Sequence, residues 1–348
     1  MLVSQIKHAA WSLFLVCMLN GCQADTVEHR EGYVFGTRVD VSIYGQSKET
    51  AQTAIDAVLS EFDRLHHTYH AWQPSELSTL NAAIAQGQST KVSQEMRDIL
   101  QDAKTLSLQS EGLFNPAIGH LISLWGFQSD TFPPILPAEN LVQQAREKQP
   151  GMADLIIEGD QIKSRNPAVQ IDLGGYAKGY ALDRAAQILK DKNIPNALIN
   201  IGGNVLALGQ KGKLPWRVGI QDPRAPRVLA TLPLYAGEAI GTSGDYQRFF
   251  EVDGKRYCHI LDPRTGTPHQ HTASLTVLIP PQSGAGRLSD VASKPAFITG
   301  ATGWRDALKP YQITQAMRID AQGNIVITQA LDQRVKWEDD SKNIQRVP

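Results

Sequence analysis

"IDLGGYAKGYALDRAA", residues 171–186, is the stretch on which the reading of this chain turns. Its second half reads as an ordinary helix, running from about Gly175 to Lys190. Its first half sets Asp172, two adjacent glycines (Gly174 and Gly175) and Lys178 at the entrance of that helix. The glycines let bare backbone approach a ligand, and a helix N-terminus favours anions. Lys178, one turn from Gly174, adds a cation. Nucleotide phosphates would suit this arrangement, although neither GxxxxGK[ST] nor GxGxxG is present. Taken alone, the stretch has a plainer reading: a tight turn from a strand ending at Asp172 into a helix, with a solvated lysine.

Other segments repeat the chemistry. "NIGGN" at 200–204 is a second polar–Gly–Gly–polar turn, and "GTSGDY" at 241–246 reads as a third small-residue turn with a carboxylate. "CHILDPRTGTP" groups His259, Asp262 and Arg264 around a proline turn, and "LSDVAS" puts Asp290 at an expected helix start. Each has a bland reading as a hairpin turn, a core histidine or a capping aspartate. Together they suggest a site for a large phosphate-bearing ligand.

Around them, strands and helices mix without a steady βαβ beat. Val39, Val41 and Ile43 alternate as in a half-buried strand over 34–44. Ala51, Ala54, Ile55, Val58, Leu59 and Phe62 recur at helical spacing. Ser93 is placed to cap a helix through Leu106. Pro133, Pro134 and Pro137 make 128–137 a surface loop or boundary. Short strands follow at 154–157, 161–163 and 169–172. Asp253-Gly254 marks a hairpin, 285–299 reads as helix, and "AMRIDAQGNIVIT" closes with another hairpin. The pattern predicts an α+β fold of mixed layers, antiparallel-rich sheet with helices, rather than a doubly wound sheet.

The chain has 348 residues and a net charge of -1. The length fits one large domain or two smaller ones, with ample core for either. The near-zero charge argues against a broad phosphate-neutralising surface, so no nucleic-acid partner is expected. At the N-terminus one lysine, Lys7, precedes an apolar run from Ala9 to Leu19, too short to span a bilayer as a mature helix. It ends in Leu19-Asn20-Gly21-Cys22, which resembles the lipobox of bacterial lipoproteins. That reading makes 1–22 a signal peptide, Cys22 the lipidated first residue, 23–33 a tether and 34–340 a single domain; the plainer reading is a secretory signal cleaved nearby. Gln23 rather than Asp after the cysteine favours the outer over the inner membrane of the cell envelope, on the periplasmic side. Cys17 leaves with the signal and Cys22 carries lipid, so Cys258 has no disulfide partner.

The ordered segments "DLGGYAKGYALD", "NIGGN", "TSGDY", "HILDPRTG" and "SDVASKPAFITG", with "SELSTLN" and "LWGF" upstream, resemble the ApbE family of FAD:protein FMN transferases. The resemblance spans nearly the whole mature chain. It implies a T-fold-like domain with an FAD cleft between two subdomains. It implies FAD and Mg2+, cleavage of the FAD pyrophosphate, and attachment of FMN to a threonine or serine of a partner. Such partners are membrane or exported electron-transfer subunits. By resemblance Phe35, Trp72, Leu113, Phe114, Asn115, Asp172, Lys178, His259 and Ile260 contact FAD. Gly175 (through its carbonyl), Asp290, Ser293 and the position of Lys294 form the metal site. His259 and Asp290 are the catalytic pair, His259 accepting the hydroxyl proton near neutral pH.

Three positions depart from the family pattern. Asn115 and Asn204 stand where the family often has Asp. Lys294 stands at a threonine ligand position, four residues after Asp290, and an ammonium cannot ligate magnesium. Two placements of Lys294 follow. In one it pairs with Asp290 and takes over part of the metal's charge; in the other Pro295 bends the segment and turns it to solvent. Two further readings stay open at this point: an FAD diphosphatase releasing FMN and AMP, and an FAD-binding lipoprotein without transferase activity.

Overall fold

The computed structural model describes residues 26–129, 131–338 and 343–348; Cys22 and the signal segment lie outside them. Its centre is a nine-stranded sheet. The strands lie in the order Val27–Val34, Thr37–Tyr44, Ala197–Ile201, Asn204–Leu208, Ala239–Gly244, Thr272–Ile279, Gln315–Asp320, Ile325–Thr328 and Ile344–Val347. All neighbours are antiparallel except the last pair. The expected α+β class with antiparallel-rich sheet is thus the observed one. The chain enters the sheet earlier than the sequence reading has it, because Val27–Val34 pairs along its length with Thr37–Tyr44. The segment read as a tether is strand from Val27, and the sheet continues past residue 340 to Val347.

Both faces of the sheet are covered. On one lie three helices, Lys48–Thr68, Ala177–Asp191 and Ala285–Leu308. The first is capped by Ser47 Oγ, which accepts from Thr50 N. Its apolar stripe of Ala51, Ile55, Val58 and Phe62 joins the same core as Val39, Val41 and Ile43. On the other face a three-stranded sheet of Trp216–Gln221, Val228–Leu234 and Lys336–Trp337 packs Trp216, Val218 and Leu232 with Val205, Ile240 and Met317. Thr272–Ile279 is therefore buried at every residue, and its apolar run lacks the alternation of a one-sided strand.

Two local expectations do not hold. Segment 169–172 makes only an isolated bridge, Ile118 with Gln170, and Asp172 ends no strand; the helix begins at Ala177, after a turn over 174–176. "GTSG" is not a turn but the end of a central strand. Its small residues are needed because the long helix lies on it: a Cβ at Gly241 would stand 2.3 Å from the Ser289 carbonyl oxygen.

The long helix begins at Ala285, so Asp290 lies in its second turn, not at its start. The helical run expected over 285–299 ends at Gly300, whose φ of 64° kinks the helix before it continues to Leu308. This helix crosses Ala177–Asp191 in backbone contact. A Cβ at Gly179 would stand 2.5 Å from the Gly286 carbonyl oxygen and 2.7 Å from Asp290 Cβ. Asp183, one turn further on, accepts from Gly286 N at 2.8 Å and Arg287 N at 3.0 Å. It thereby satisfies two of the orphan donors of the long helix, whose own N-cap, Gly284, has no side chain to do so.

This crossing predicts its own sensitivity. Gly179→Ala must push the helices apart and should lower stability by about 1–3 kcal/mol. Asp183→Ala should lower it by about 1–2 kcal/mol. The pair should be non-additive because both act on one contact. Urea denaturation of the two single variants and the double variant checks this; wild-type midpoints would remove the crossing from the account of stability.

Candidate functional site

A cleft of about 760 Å³ opens between the main core and a smaller apolar cluster built from Ile118, Trp125, Phe127, Phe250 and Leu261. Phe35, Trp72, Leu113, Phe114, Asn115, Asp172, Gly175, Lys178, His259, Ile260 and Lys294 all border it, though they span more than two hundred positions of sequence. Asp290 and Ser293 do not; they sit behind Lys294 in the second turn of the long helix and beyond.

The cleft's glycine entrance is held from two sides. Ser75 caps the helix Glu76–Ala85 in a reciprocal box with Ser78, which fixes the "SELS" turn. The same helix carries Asn81, buried, whose amide donates to the Ile171 carbonyl at 2.8 Å and accepts from the Ile171 N–H at 2.7 Å. That two-way bond serves the main-chain groups of Ile171, while Gln170 N and Asp172 N donate to the Ala117 and Pro116 carbonyls at 3.2 and 2.8 Å. Next to it, Trp72 Nε1 donates to Asp172 Oδ2 at 2.9 Å, while Asp172 Oδ1 accepts from Gly174 N at 2.7 Å. Asp172 therefore orients an aromatic wall and the glycine turn together. Asn81 was not singled out from the sequence; its signal is a polar residue at an inward position of an apolar helix stripe with Leu77, Leu80 and Ile84.

Asn115 also has an explanation. Its Nδ2 donates to the Pro150 carbonyl at 2.9 Å and its Oδ1 accepts from Ala117 N at 3.0 Å. An aspartate lacks the first donor. The side chain thus ties the cleft wall to the 150 loop rather than reaching into the cleft. Asp245 and Asp262, two of the acids noted in the sequence, are committed to arginines: Asp245 to Arg224 at 2.6 and 2.7 Å, Asp262 to Arg264 at 2.7 Å. They serve the structure.

The far end of the cleft is cationic. Lys178 Nζ lies 3.4 Å from the Gly174 carbonyl oxygen. Lys294 Nζ donates to Asp290 Oδ1 and to the Asp290 carbonyl, each at 2.6 Å. The other Asp290 oxygen accepts from Gly179 N at 3.0 Å. Lys294 is 16 % exposed and Asp290 2 %, so the pair is buried and the solvent-facing placement of Lys294 is not the one found. Pro295 leaves the helix intact at this point. Burial pushes the Asp290 carboxyl up, but Lys294, Lys178 and the Gly179 N–H outweigh it and hold the group below the usual carboxylate range.

His259 faces the cleft beside these cations. Its Nδ1 lies 3.2 Å from the Arg248 carbonyl oxygen, which can only accept, so Nδ1 carries the proton and Nε2 keeps a lone pair. Burial, with Lys178 and Arg248 nearby, pulls its pKa down to about 3. The near-neutral titration expected for this histidine is therefore not that of the ligand-free protein. Arg248 itself donates to the Phe127 and Ser129 carbonyls and lies over Phe132, which fixes the rim. The sequence reading passed over it because no motif marks an arginine held by carbonyl groups more than a hundred residues away.

The donors around Asp290 do not fit a divalent metal. Magnesium wants oxygens at about 2.0–2.1 Å in near-octahedral array. Here an ammonium already occupies the approach to Oδ1 and the carbonyl, and Ser293 Oγ is engaged with Ser243 Oγ at 2.7 Å and with the Asp290 carbonyl at 2.9 Å. Among the described residues the one convergent group of three His, Cys, Asp or Glu side chains is His29, Glu31 and Asp40 on the first hairpin, and Arg38 is ion-paired with both acids there.

Comparison with known proteins agrees with this architecture. The ApbE family profile matches residues 35–318. An FAD:protein FMN transferase of Rhodobacter capsulatus is 40% identical over 304 residues, 87% of this chain but 57% of the relative, so the chain spans little more than half of that protein. One from Vibrio cholerae is 32% identical over 275 residues, 77% of this chain and 81% of its own length. Among solved structures, an ApbE protein of Thermotoga maritima superposes with a TM-score of 0.81 at 29% identity, covering 89% of this chain and 99% of that one. A flavin transferase ApbE from Vibrio cholerae gives 0.76 at 25% identity over 89% and 99% of the two chains. A profile match over most of the chain, and a shared fold over nearly all of both solved relatives, establish that the chain belongs to the ApbE family.

Proposed function

We propose that this chain transfers FMN from FAD to a hydroxyl of a partner protein, releasing AMP. The observation that carries the reading is the pairing, in one cleft, of an aromatic wall with a cationic end that faces a histidine lone pair. Phe35, Trp72, Leu113 and Phe114 supply the flat apolar surface that a flavin ring needs, and Lys178 and Lys294 sit where its phosphates would lie.

The reaction is a substitution at phosphorus. The threonine or serine oxygen forms a bond to the phosphorus of the FMN half, the bond from that phosphorus to the bridging oxygen breaks, and AMP leaves with the bridging oxygen. The hydroxyl proton goes to His259 Nε2. Catalysis of this kind is mostly positioning and charge neutralisation. Lys178 and Lys294 cancel charge on the phosphates. A bound diphosphate in turn offsets the cations that depress His259, so the imidazole becomes a better base when the substrate is in place.

The acceptor and the membrane anchor follow from the resemblance and from the N-terminal segment, outside the described residues. The acceptor would be an exported electron-transfer subunit, and the lipobox at Cys22 would tether the enzyme to the periplasmic side of the envelope, with Gln23 favouring the outer membrane. Mass spectrometry of the protein from its native membrane should find a diacylated N-terminal Cys22; an unmodified N-terminus elsewhere ends that proposal. Magnesium, which the resemblance also implies, finds no fitting donor set at Asp290.

Incubation with FAD and a candidate acceptor tests the activity: flavinylated acceptor supports it, free FMN with AMP marks a diphosphatase, and retained intact FAD marks a binding protein. His259→Asn should lower transfer roughly 100-fold or more while FAD still binds. Asp172→Ala should release Trp72 and weaken FAD binding about tenfold, read by tryptophan quenching. Transfer at the wild-type rate in the first variant, or unchanged affinity in the second, would show that the site has been misplaced.

The titration of His259 has a sign that can be checked. Its folded pKa of about 3 lies below the ordinary 6.5, so as pH falls the unfolded chain takes up this proton first. The ligand-free protein should lose stability from about pH 6.5 downwards, and His259→Asn should flatten that loss in urea titrations. Added FAD should raise the His259 pKa, visible in the imidazole NMR signals; a pKa that stays put on saturation argues against phosphates beside this ring.

A further inference from the structure

We propose that Lys294 is a resident cation: its ammonium occupies the place beside Asp290 where a divalent metal would bind and presents its remaining donor to the phosphates of the cleft's ligand. The proposal rests on the flavin reading for the identity of that ligand, and on the geometry alone for the cation.

Three features build the ammonium into the site. Its stem passes over Gly175, where a Cβ would stand 2.9 Å from Lys294 Cε and 3.1 Å from Cδ. The slot exists because residue 175 has no side chain, and Phe114 closes it, 3.5 Å from the same Cβ position. Next, Asp290 accepts from Nζ twice, through Oδ1 and through its own carbonyl. An ammonium has three donors, so one is left on a residue that borders the cleft. Finally, the remaining groups are used in ways that suit an ammonium and not a metal. Asp290 Oδ2 is held by Gly179 N, and Ser293 Oγ is turned to Ser243.

The charges point the same way. Two basic side chains, Lys178 and Lys294, face the single Asp290 carboxylate here; burial pulls the Lys294 ammonium down, and the Asp290 carboxylate opposes that pull. An anionic diphosphate complements the two lysines directly. A divalent cation entering the same place would meet the ammonium at contact distance from the carboxylate it needs, and like charges so placed exclude one another. Asp290 then acts as a positioning residue: it holds Nζ at the cleft wall and touches no ligand.

The test compares the full-length wild type with Lys294→Thr, which restores an oxygen at this position, and with Lys294→Gln, which keeps a donor without the charge. Mn2+ binding is followed by electron paramagnetic resonance without flavin, and FAD affinity by fluorescence in chelator and in millimolar Mg2+. The wild type should hold no Mn2+ beside Asp290 at micromolar concentration, and its FAD affinity should change less than about twofold between chelator and Mg2+. Lys294→Thr should acquire Mn2+ binding, and in chelator should lose FAD affinity at least about tenfold, recovered by Mg2+. Lys294→Gln should lose affinity without recovery. The proposal is overturned if the wild type binds Mn2+ at micromolar concentration and loses it on Asp290→Asn, or if all three proteins bind FAD alike in chelator. The wild-type arms need no variant to fold. A wild type that holds no flavin in any condition would overturn the flavin reading and with it the phosphate half of this one. The Mn2+ arm still decides between ammonium and metal.

Discussion

The contact on which the site depends is the crossing of two helices at Gly179. Only without a side chain there does the long helix come within backbone distance of the Ala177–Asp191 helix. That approach puts the Gly179 N–H on one Asp290 oxygen and leaves the other for Lys294. It also lets Asp183 cap the long helix from the side. The glycine-rich entrance, the buried carboxylate and the cation over Gly175 are thus one unit, held by the same few ångströms of clearance.

The other wall is held by hydrogen bonds in place of a sheet ladder. Residues 169–173 form no regular strand; Gln170 and Asp172 bond to the backbone of 116–119 around a single bridge. Asn81 satisfies both main-chain groups of Ile171, and Trp72 and Gly174 share the Asp172 carboxylate. A segment freed from a ladder can place bare backbone at a cleft, at the cost of needing such substitutes for its polar groups. The conspicuous glycines are therefore only half of the device; the inconspicuous asparagine in "SELSTLN" is the other half.

A buried ion pair such as Asp290–Lys294 is poor evidence for stability, because desolvating two charges offsets much of their attraction. Its presence at the cationic end of the cleft is better understood through what it orients. The aliphatic stem is packed between Gly175 and Phe114, so the ammonium does not need to be ordered when a ligand arrives. The neighbouring imidazole feels the same field. His259 is kept neutral in the ligand-free protein by burial and by Lys178 and Arg248, and an anionic ligand relieves part of that depression.

The α+β class, the first helix, the helix capped by Ser93 and the hairpins were legible in the sequence, because periodicity, caps and turn residues act over a few positions. The motif order linked residues from Phe35 to Lys294 that the fold then gathers round one cleft. What only the tertiary structure decided were the outcomes that depend on a neighbour distant in the chain. "GTSG" looked like a turn and is a central strand, since Gly241 makes room for the helix from residues 285–308. The run at 169–172 looked like a strand and is pinned by Asn81 instead. Lys294 had two placements in the sequence; the slot over Gly175 and the Asp290 carboxylate select the inward one. The His259 pKa depends on burial and on cations from three separate segments, and no local pattern encodes that sum.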